Sequence, residues 1–522
     1  MPLIVLESRT LKSVKNIEVA TLFYFLNLLL QFFSRKIFLD YLGSEVLGLN
    51  TTAQNLLGFL NIAELGIGAA VAYNLYKPLQ EKNRQAVIDI VSVQGWLYQR
   101  IAAIVGVGAI ILMLFFPMIF SKAEVPLWYA YGSFGVLLLG ALLDYTVNYK
   151  QIVLSADQKQ YKITYSVQGV KIIKILFQVL AVRFLANGYV YWMVLEALMS
   201  VFSSFVLNLQ INKEYPWLKA DKHKGKELRI KYPGVIQKTK QVFFHKIGSF
   251  VLSQTTPLVI YGFASLTLVA IYGNYMLIVS AVILLMDALF NGIGAGIGNL
   301  VAEGNKEQIK KVYWELTSAR IWLATVFCLV FYLFGDTFIS LWVGTEYQLP
   351  RLPFLLIIII AFIRLTRTSD AFLAAYGLYQ DIWAPIVEAT LNIGLSILLG
   401  HYLGLAGILL GVLTSLVFVV GIWKPYFLYS KGFKDPFKEY IMRYGKLILI
   451  AIFIVLLFYL VFNGYLNDIH TWWVWFYSIL LVLSAVGVGS FFMFYAIDKS
   501  FKLFVTRLTT YVIGNKKRGV SN

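Results

Sequence analysis

Leu65-Gly66-Ile67-Gly68-Ala69, followed by the polar exit Glu81-Lys82-Asn83-Arg84-Gln85, returns in the second half of the chain as Asn291-Gly292-Ile293-Gly294-Ala295 and Glu303-Gly304-Asn305-Lys306-Glu307. Two further echoes keep the order: Arg100-Ile101 with Arg320-Ile321, and Leu154-Ser155-Ala156 with Leu373-Ala374-Ala375. A repeat at this spacing in a chain of 522 residues predicts two related halves. The segments that carry the echoes are long and apolar, and 59% of the chain is hydrophobic. Fourteen such segments lie near 17–39, 47–73, 88–118, 126–153, 163–186, 188–211, 239–264, 266–300, 313–340, 353–376, 385–403, 404–428, 447–463 and 472–496. Each is long enough to cross a hydrocarbon core of roughly 30 Å at about 1.5 Å per residue. The fold class is therefore all-α, a polytopic membrane protein with about 14 transmembrane helices.

The basic loop between the sixth and seventh spans divides the first twelve spans into sixes. Six is even, so both halves enter the membrane in the same sense and relate by an axis along its normal. The domain reading is 1–211 for the N-terminal six-helix half, 212–238 for a basic cytoplasmic linker and 239–428 for the C-terminal half. Residues 429–496 add helices 13 and 14, and 497–522 form a basic cytoplasmic tail. Of the 45 Lys and Arg residues, 33 fall before the first span, in every second connection or after the last span, five fall on the opposite side, and the other seven lie inside spans. Both termini are expected in the cytoplasm.

A net charge of +18 suggests nucleic acid at first sight. Here the cations flank membrane spans, where they set topology and meet anionic lipid headgroups, so membrane lipids are the expected partners and nucleic acid is not. The only cysteine, Cys328, lies inside the ninth span and can form no internal disulfide. The chain has no glycine-lysine phosphate loop, no His-Glu-x-x-His and no cysteine ligand cluster, and its extracytoplasmic connections are short. We therefore expect no enzyme activity, no metal and no cofactor.

A charge facing lipid costs about 2.5 to 3.5 kcal/mol or more, so charges inside spans should face a cavity or a partner. The candidate substrate-binding cations are Arg35, Arg100, Lys171, Lys174, Arg320, Arg364 and Arg367. Lys171/Lys174 and Arg364/Arg367 are spaced i,i+3, which places each pair on one helical face. Arg367 with Asp370 is the plainest ion pair, and Glu315 is a candidate partner for Arg320. Trp96 and Tyr98, just before Arg100, are candidates for stacking on sugar rings. With no ATP site, energy must come from the substrate gradient or from coupling to a Na+ or H+ gradient. Asp144, Glu196 and Asp287 are the candidate ion-coupling acids.

Tyr41-Leu42-Gly43-Ser44-Glu45-Val46-Leu47-Gly48-Leu49-Asn50 and Leu60-Asn61-Ile62-Ala63-Glu64-Leu65-Gly66-Ile67-Gly68 resemble the first loop and second helix of bacterial polysaccharide (O-antigen) flippases. These belong to the polysaccharide transporter family of the multidrug/oligosaccharidyl-lipid/polysaccharide exporter (MOP) superfamily. Asn74-Leu75-Tyr76-Lys77-Pro78-Leu79 and Ala156-Asp157-Gln158-Lys159-Gln160-Tyr161 fit as well. The resemblance implies a MATE-like fold of two six-helix bundles plus two C-terminal helices. It implies a flippase in the bacterial cytoplasmic (inner) membrane that moves polyprenyl-pyrophosphate-linked oligosaccharide for surface polysaccharide biosynthesis: O-antigen of lipopolysaccharide, capsule or exopolysaccharide. Other polysaccharide assembly proteins are implied partners. The alternative is a cation-coupled multidrug or small-molecule exporter of the same superfamily, whose cavity should be dominated by acids.

Overall fold

The computed structural model describes residues 2–64, 66–378, 381, 383–465 and 469–518; Leu65 of the repeated motif lies outside them. The described residues form helices and connecting turns. The principal helices are α1 (Pro2–Leu60), α2 (Ile67–Gln80), α3 (Arg84–Leu114), α4 (Leu127–Thr146), α5 (Gln160–Phe184), α6 (Gly188–Glu214) and the short α7 (Gly225–Lys231). They continue with α8 (Pro233–Phe263), α9 (Leu266–Glu303), α10 (Lys306–Val343), α11 (Arg351–Leu365), α12 (Trp383–Leu416), α13 (Phe437–Phe462), α14 (Trp472–Ile497) and α15 (Lys499–Arg518).

Ten stretches of the described residues are long and apolar enough to cross a membrane. Two of them, Glu18–Leu60 and Trp383–Phe433, each hold two expected spans. These joins sit at Gly43 (φ 80) and Gly404 (φ 56), where the backbone takes a left-handed conformation that glycine adopts without steric cost. Expected spans five and seven fall on α5 and α8, which are helical throughout but missing from the ten apolar stretches. On α5 the reason is charge, because Lys162, Lys171, Lys174 and Arg183 interrupt it. Span two is broken: α1 ends at Leu60, a 3-10 turn covers Asn61–Glu64, and α2 restarts after Gly66 (φ 96).

The chain forms two compact units, Met1–Ala270 and Ile271–Asn522. The division falls in the first turn of α9, so α8 packs with α1 and α2 in the first unit. In that unit α1 runs along α5, and α5 pairs with α6. Its core gathers Val71, Val105, Leu207 and Ile211, all essentially without exposure. In the second unit α10 is the central post, packed by α11, α13, α14 and α15. Aromatic rings fill one end of that packing, with Tyr313, Trp314, Phe372, Tyr429 and Phe433 buried together. The outward faces of α13 and α14 are apolar and exposed (Leu449, Leu460, Trp473, Leu480), as a lipid-facing surface requires. The protein is a multi-pass membrane protein.

Candidate functional site: polar cavities and buried charges in each unit

The break in span two builds the first polar site. Because Asn61–Glu64 form a 3-10 turn, Glu64 turns toward α3 and α4, where Tyr98 Oη donates to its Oε1 at 2.9 Å and Tyr145 Oη approaches its Oε2 at 3.4 Å. Tyr145 Oη also lies 2.9 Å from Asn61 Oδ1. Discontinuous membrane helices commonly mark binding sites, since the free backbone must line a cavity or be buried in protein. A cavity of about 260 Å³ lies here, lined by Asn61, Glu64, Asp144, Tyr145, Glu196 and Ser200 among others. A second cavity of about 180 Å³ shares Gly140, Asp144 and Ser200 with the first and adds Asn148, Lys171, Lys174, Ser203 and Ser204. Of the expected cations, Lys171 and Lys174 line the second cavity together, beside Asp144.

Those two lysines differ. Lys174 Nζ is 2.6 Å from Glu196 Oε1, and Gln178 Nε2 donates to Glu196 Oε2 at 2.9 Å, so this carboxylate is satisfied from both sides. Lys171, half-buried, makes no hydrogen bond or ion pair among the described residues, and its ammonium borders the second cavity. Asp144 accepts from Asn148 Nδ2 at 2.8 Å. Arg35 lies elsewhere in the unit and donates from Nη2 to the carbonyl of Ala270 at 3.0 Å.

Arg100 is exposed, with its guanidinium 4.3 Å from the centroid of the Trp96 ring. Trp96 and Tyr98, the candidates for stacking on sugar rings, are both buried. The Trp96 indole also lies under Arg229 at 5.2 Å, and the Tyr98 hydroxyl is committed to Glu64.

In the second unit the charges are interlocked. Arg367 Nε lies 2.8 Å from Asp370 Oδ2, and Lys424 Nζ 2.7 Å from Asp370 Oδ1. Arg320 donates from Nη1 to the Leu365 carbonyl at 3.2 Å and lies over the Phe290 ring at 4.5 Å. It does not pair with Glu315, whose carboxylate is held by Arg507 of α15 at 2.9 and 3.2 Å. Asp287 is exposed and within electrostatic reach of Arg320 and Arg367. Arg364 has Tyr272 and Glu388 within the same reach and no direct partner among the described residues. Glu388 is buried, and its Oε1 meets no donor among the described residues. A small cavity of about 20 Å³, the size of one water, is lined by Arg367, Asp370 and the hydroxyls of Thr366, Thr368, Ser369 and Tyr313.

Sequence reasoning passed over Glu64 and Glu388 as site residues. The signal for Glu64 was present in the glycines just after it, which predict a break in a membrane helix. Glu388 has no such signal, because only the packed structure shows that Asp370 takes both of the nearby cations Arg367 and Lys424.

No protein-family model matches the chain, and no curated protein sequence matches it. Solved structures do. A structure of the lipid II flippase MurJ in an inward closed conformation superposes with a TM-score of 0.63 at 14% identity, covering 93% of this chain and 99% of that one. An inward-facing multidrug resistance MATE family transporter of the MOP superfamily gives a TM-score of 0.56 at 12% identity, covering 80% of this chain and 98% of that one. At these identities the comparison speaks for the fold: the chain has the MATE-like, all-helical membrane fold found in MurJ and in MOP-superfamily transporters.

Proposed function

We propose that the chain is a MOP-type transporter that flips polyprenyl-pyrophosphate-linked oligosaccharide across the bacterial cytoplasmic membrane by alternating access, for surface polysaccharide assembly. The observation that carries this reading is Lys171, a cation that makes no direct ion pair among the described residues and lines a cavity with serine hydroxyls and Asp144, in a fold shared with a lipid II flippase. A pyrophosphate and its sugars cannot cross hydrocarbon unaided, whereas the lipid tail can stay in the bilayer while a cationic path carries the head. Arg100 and Lys171 act on the anionic head in this reading, and Arg35, Lys174, Arg320, Arg364 and Arg367 hold the surrounding structure and field. The basic side of the membrane is the cytoplasmic side, where both termini lie. Deleting the gene should cause lipid-linked oligosaccharide to accumulate and surface polysaccharide to fall, with the wild-type gene restoring both. Unchanged polysaccharide and no accumulating intermediate in the deletion strain would count against this function.

A second reading, export of cationic small molecules coupled to Na+ or H+, draws on the carboxylates of Glu64, Asp144 and Glu196 that line the same cavities. Asp144 is the best-placed coupling residue, because Glu196 is already engaged by Lys174 and Gln178. Protein-dependent extrusion of a lipophilic cation from vesicles, with no movement of lipid-linked sugar, would favour it.

A further inference from the structure

The basic segment after α6 is more than a solvated linker: α7 is docked on α3. Asp221 N donates to Ser92 Oγ at 2.9 Å, and Lys231 Nζ sits 2.9 Å from Asp89 Oδ2, a carboxylate that also accepts from Gln85 and Tyr232. Gly225 permits the approach, since a Cβ there would lie 2.4 Å from the Ser92 carbonyl oxygen. The docking brings Arg229 over the Trp96 ring that Arg100 already occupies.

We propose that Arg100 and Arg229 together form a binding site for the phosphate of a lipid headgroup. Both side chains are exposed, and among the described residues neither pairs with a carboxylate. The acids of the linker do not answer them: Asp221 accepts from the His223 amide, and Glu227 is exposed without an ion pair. An indole face holds each guanidinium by only about 0.5 to 1 kcal/mol and offers no acceptor to its N–H groups. Planar guanidinium forks suit phosphate oxygens, which supply those acceptors and the missing negative charge. The level is right as well. Polar α7 covers α3 as far as Trp96, so in this proposal hydrocarbon begins beyond that point. Arg100, one turn beyond Trp96, is thus placed in this proposal at headgroup depth, at the cytoplasmic end of the expected span 88–118. Identifying the ligand as the pyrophosphate of the transported lipid rests on the flippase reading, and the phosphate site itself does not.

The test uses the purified full chain in zwitterionic nanodiscs, titrated with farnesyl pyrophosphate, and with farnesol as the uncharged control. Arg100→Ala and Arg229→Ala should each weaken farnesyl pyrophosphate binding about tenfold and leave farnesol unaffected, with Arg229→Lys retaining part of the affinity. Arg229→Gln, which keeps a polar side chain of similar reach on α7, guards against a folding defect and should behave as Arg229→Ala. Lys224→Ala, at an exposed linker cation without an ion pair among the described residues, should bind as wild type. Competition by phosphatidylglycerol assigns the site to phospholipid headgroups, and its absence assigns it to the pyrophosphate; both outcomes support a phosphate site. Wild-type affinity in folded Arg100→Ala and Arg229→Gln overturns it. Intact, Arg-dependent binding without lipid-linked sugar transport would remove the flippase reading alone. Transport with unaltered affinity in the variants would remove the site alone.

Discussion

Lys171 and Lys174 sit one helical turn apart and do different work, because only one of them meets Glu196. Lys174→Ala leaves the Glu196 carboxylate unpaired where its side chain is 11% exposed, so we expect a loss of about 3 kcal/mol in thermal unfolding of the detergent-solubilised protein. The double change Lys174→Ala/Glu196→Gln should recover most of that loss. Lys171→Ala should leave the melting temperature unchanged and lower transport per folded molecule, since it removes a cation that makes no direct hydrogen bond or ion pair among the described residues. If transport depends on an ion gradient, Asp144→Asn should abolish that dependence, and retained dependence would exclude Asp144 as the coupling acid. The sequence showed that each i,i+3 pair of cations shares a helical face. It could not show which member is neutralised, because that depends on the register between α5 and α6, and in the second unit on the reach of Lys424 to Asp370. The local pair Arg367 with Asp370 was legible for the same reason that the others were not: both residues lie in one short segment.

At the scale of elements, the tail is the part least visible in the sequence. Expected as a basic extension, it folds as α15, with Phe501 buried in the core of the second unit and Asp498 accepting from Ser318 at 2.7 Å. Its Arg507 is the ion-pair partner of Glu315, whose side chain is 2% exposed. Arg507→Ala should therefore destabilise by about 2 kcal/mol, less than a fully buried pair because Arg507 is half exposed, and Arg507→Ala/Glu315→Gln should be closer to wild type. Melting curves of the single and double variants decide this; equal losses in both would show that the carboxylate is not the source. The kinks were readable as glycines but not as kinks. At Gly404 (φ 56, ψ −133) an added Cβ would meet no atom within 4 Å, so Gly404→Ala should cost only the strain of a backbone conformation that residues other than glycine rarely adopt, about 1 to 3 kcal/mol, measured in the same melts. The docking of α7 escaped the sequence because its contacts come from Asp89, Ser92 and Trp96, polar and aromatic residues at the start of a helix expected to lie wholly in lipid.

For the molecule as a whole, apolar length and the spacing of cations carried the all-helical membrane fold, since hydrocarbon leaves the backbone few other ways to satisfy its hydrogen bonds. The repeat echoes predicted paired halves. The glycines after Glu64 could signal the break in span two, but the cavities themselves were not predictable, because they depend on how α4, α5 and α6 leave room beside Gly140. The central claim is that the molecule carries an anionic lipid-linked sugar and not a cationic solute. It is tested most directly in proteoliposomes loaded with a fluorescent polyprenyl-pyrophosphate oligosaccharide on one leaflet, scoring its arrival on the other by an impermeant glycan-cleaving enzyme. Our account predicts protein-dependent arrival that falls sharply in Arg100→Ala and Lys171→Ala and is unchanged in Lys226→Ala. No arrival above empty vesicles, from protein that in the same vesicles extrudes a lipophilic cation, would contradict it.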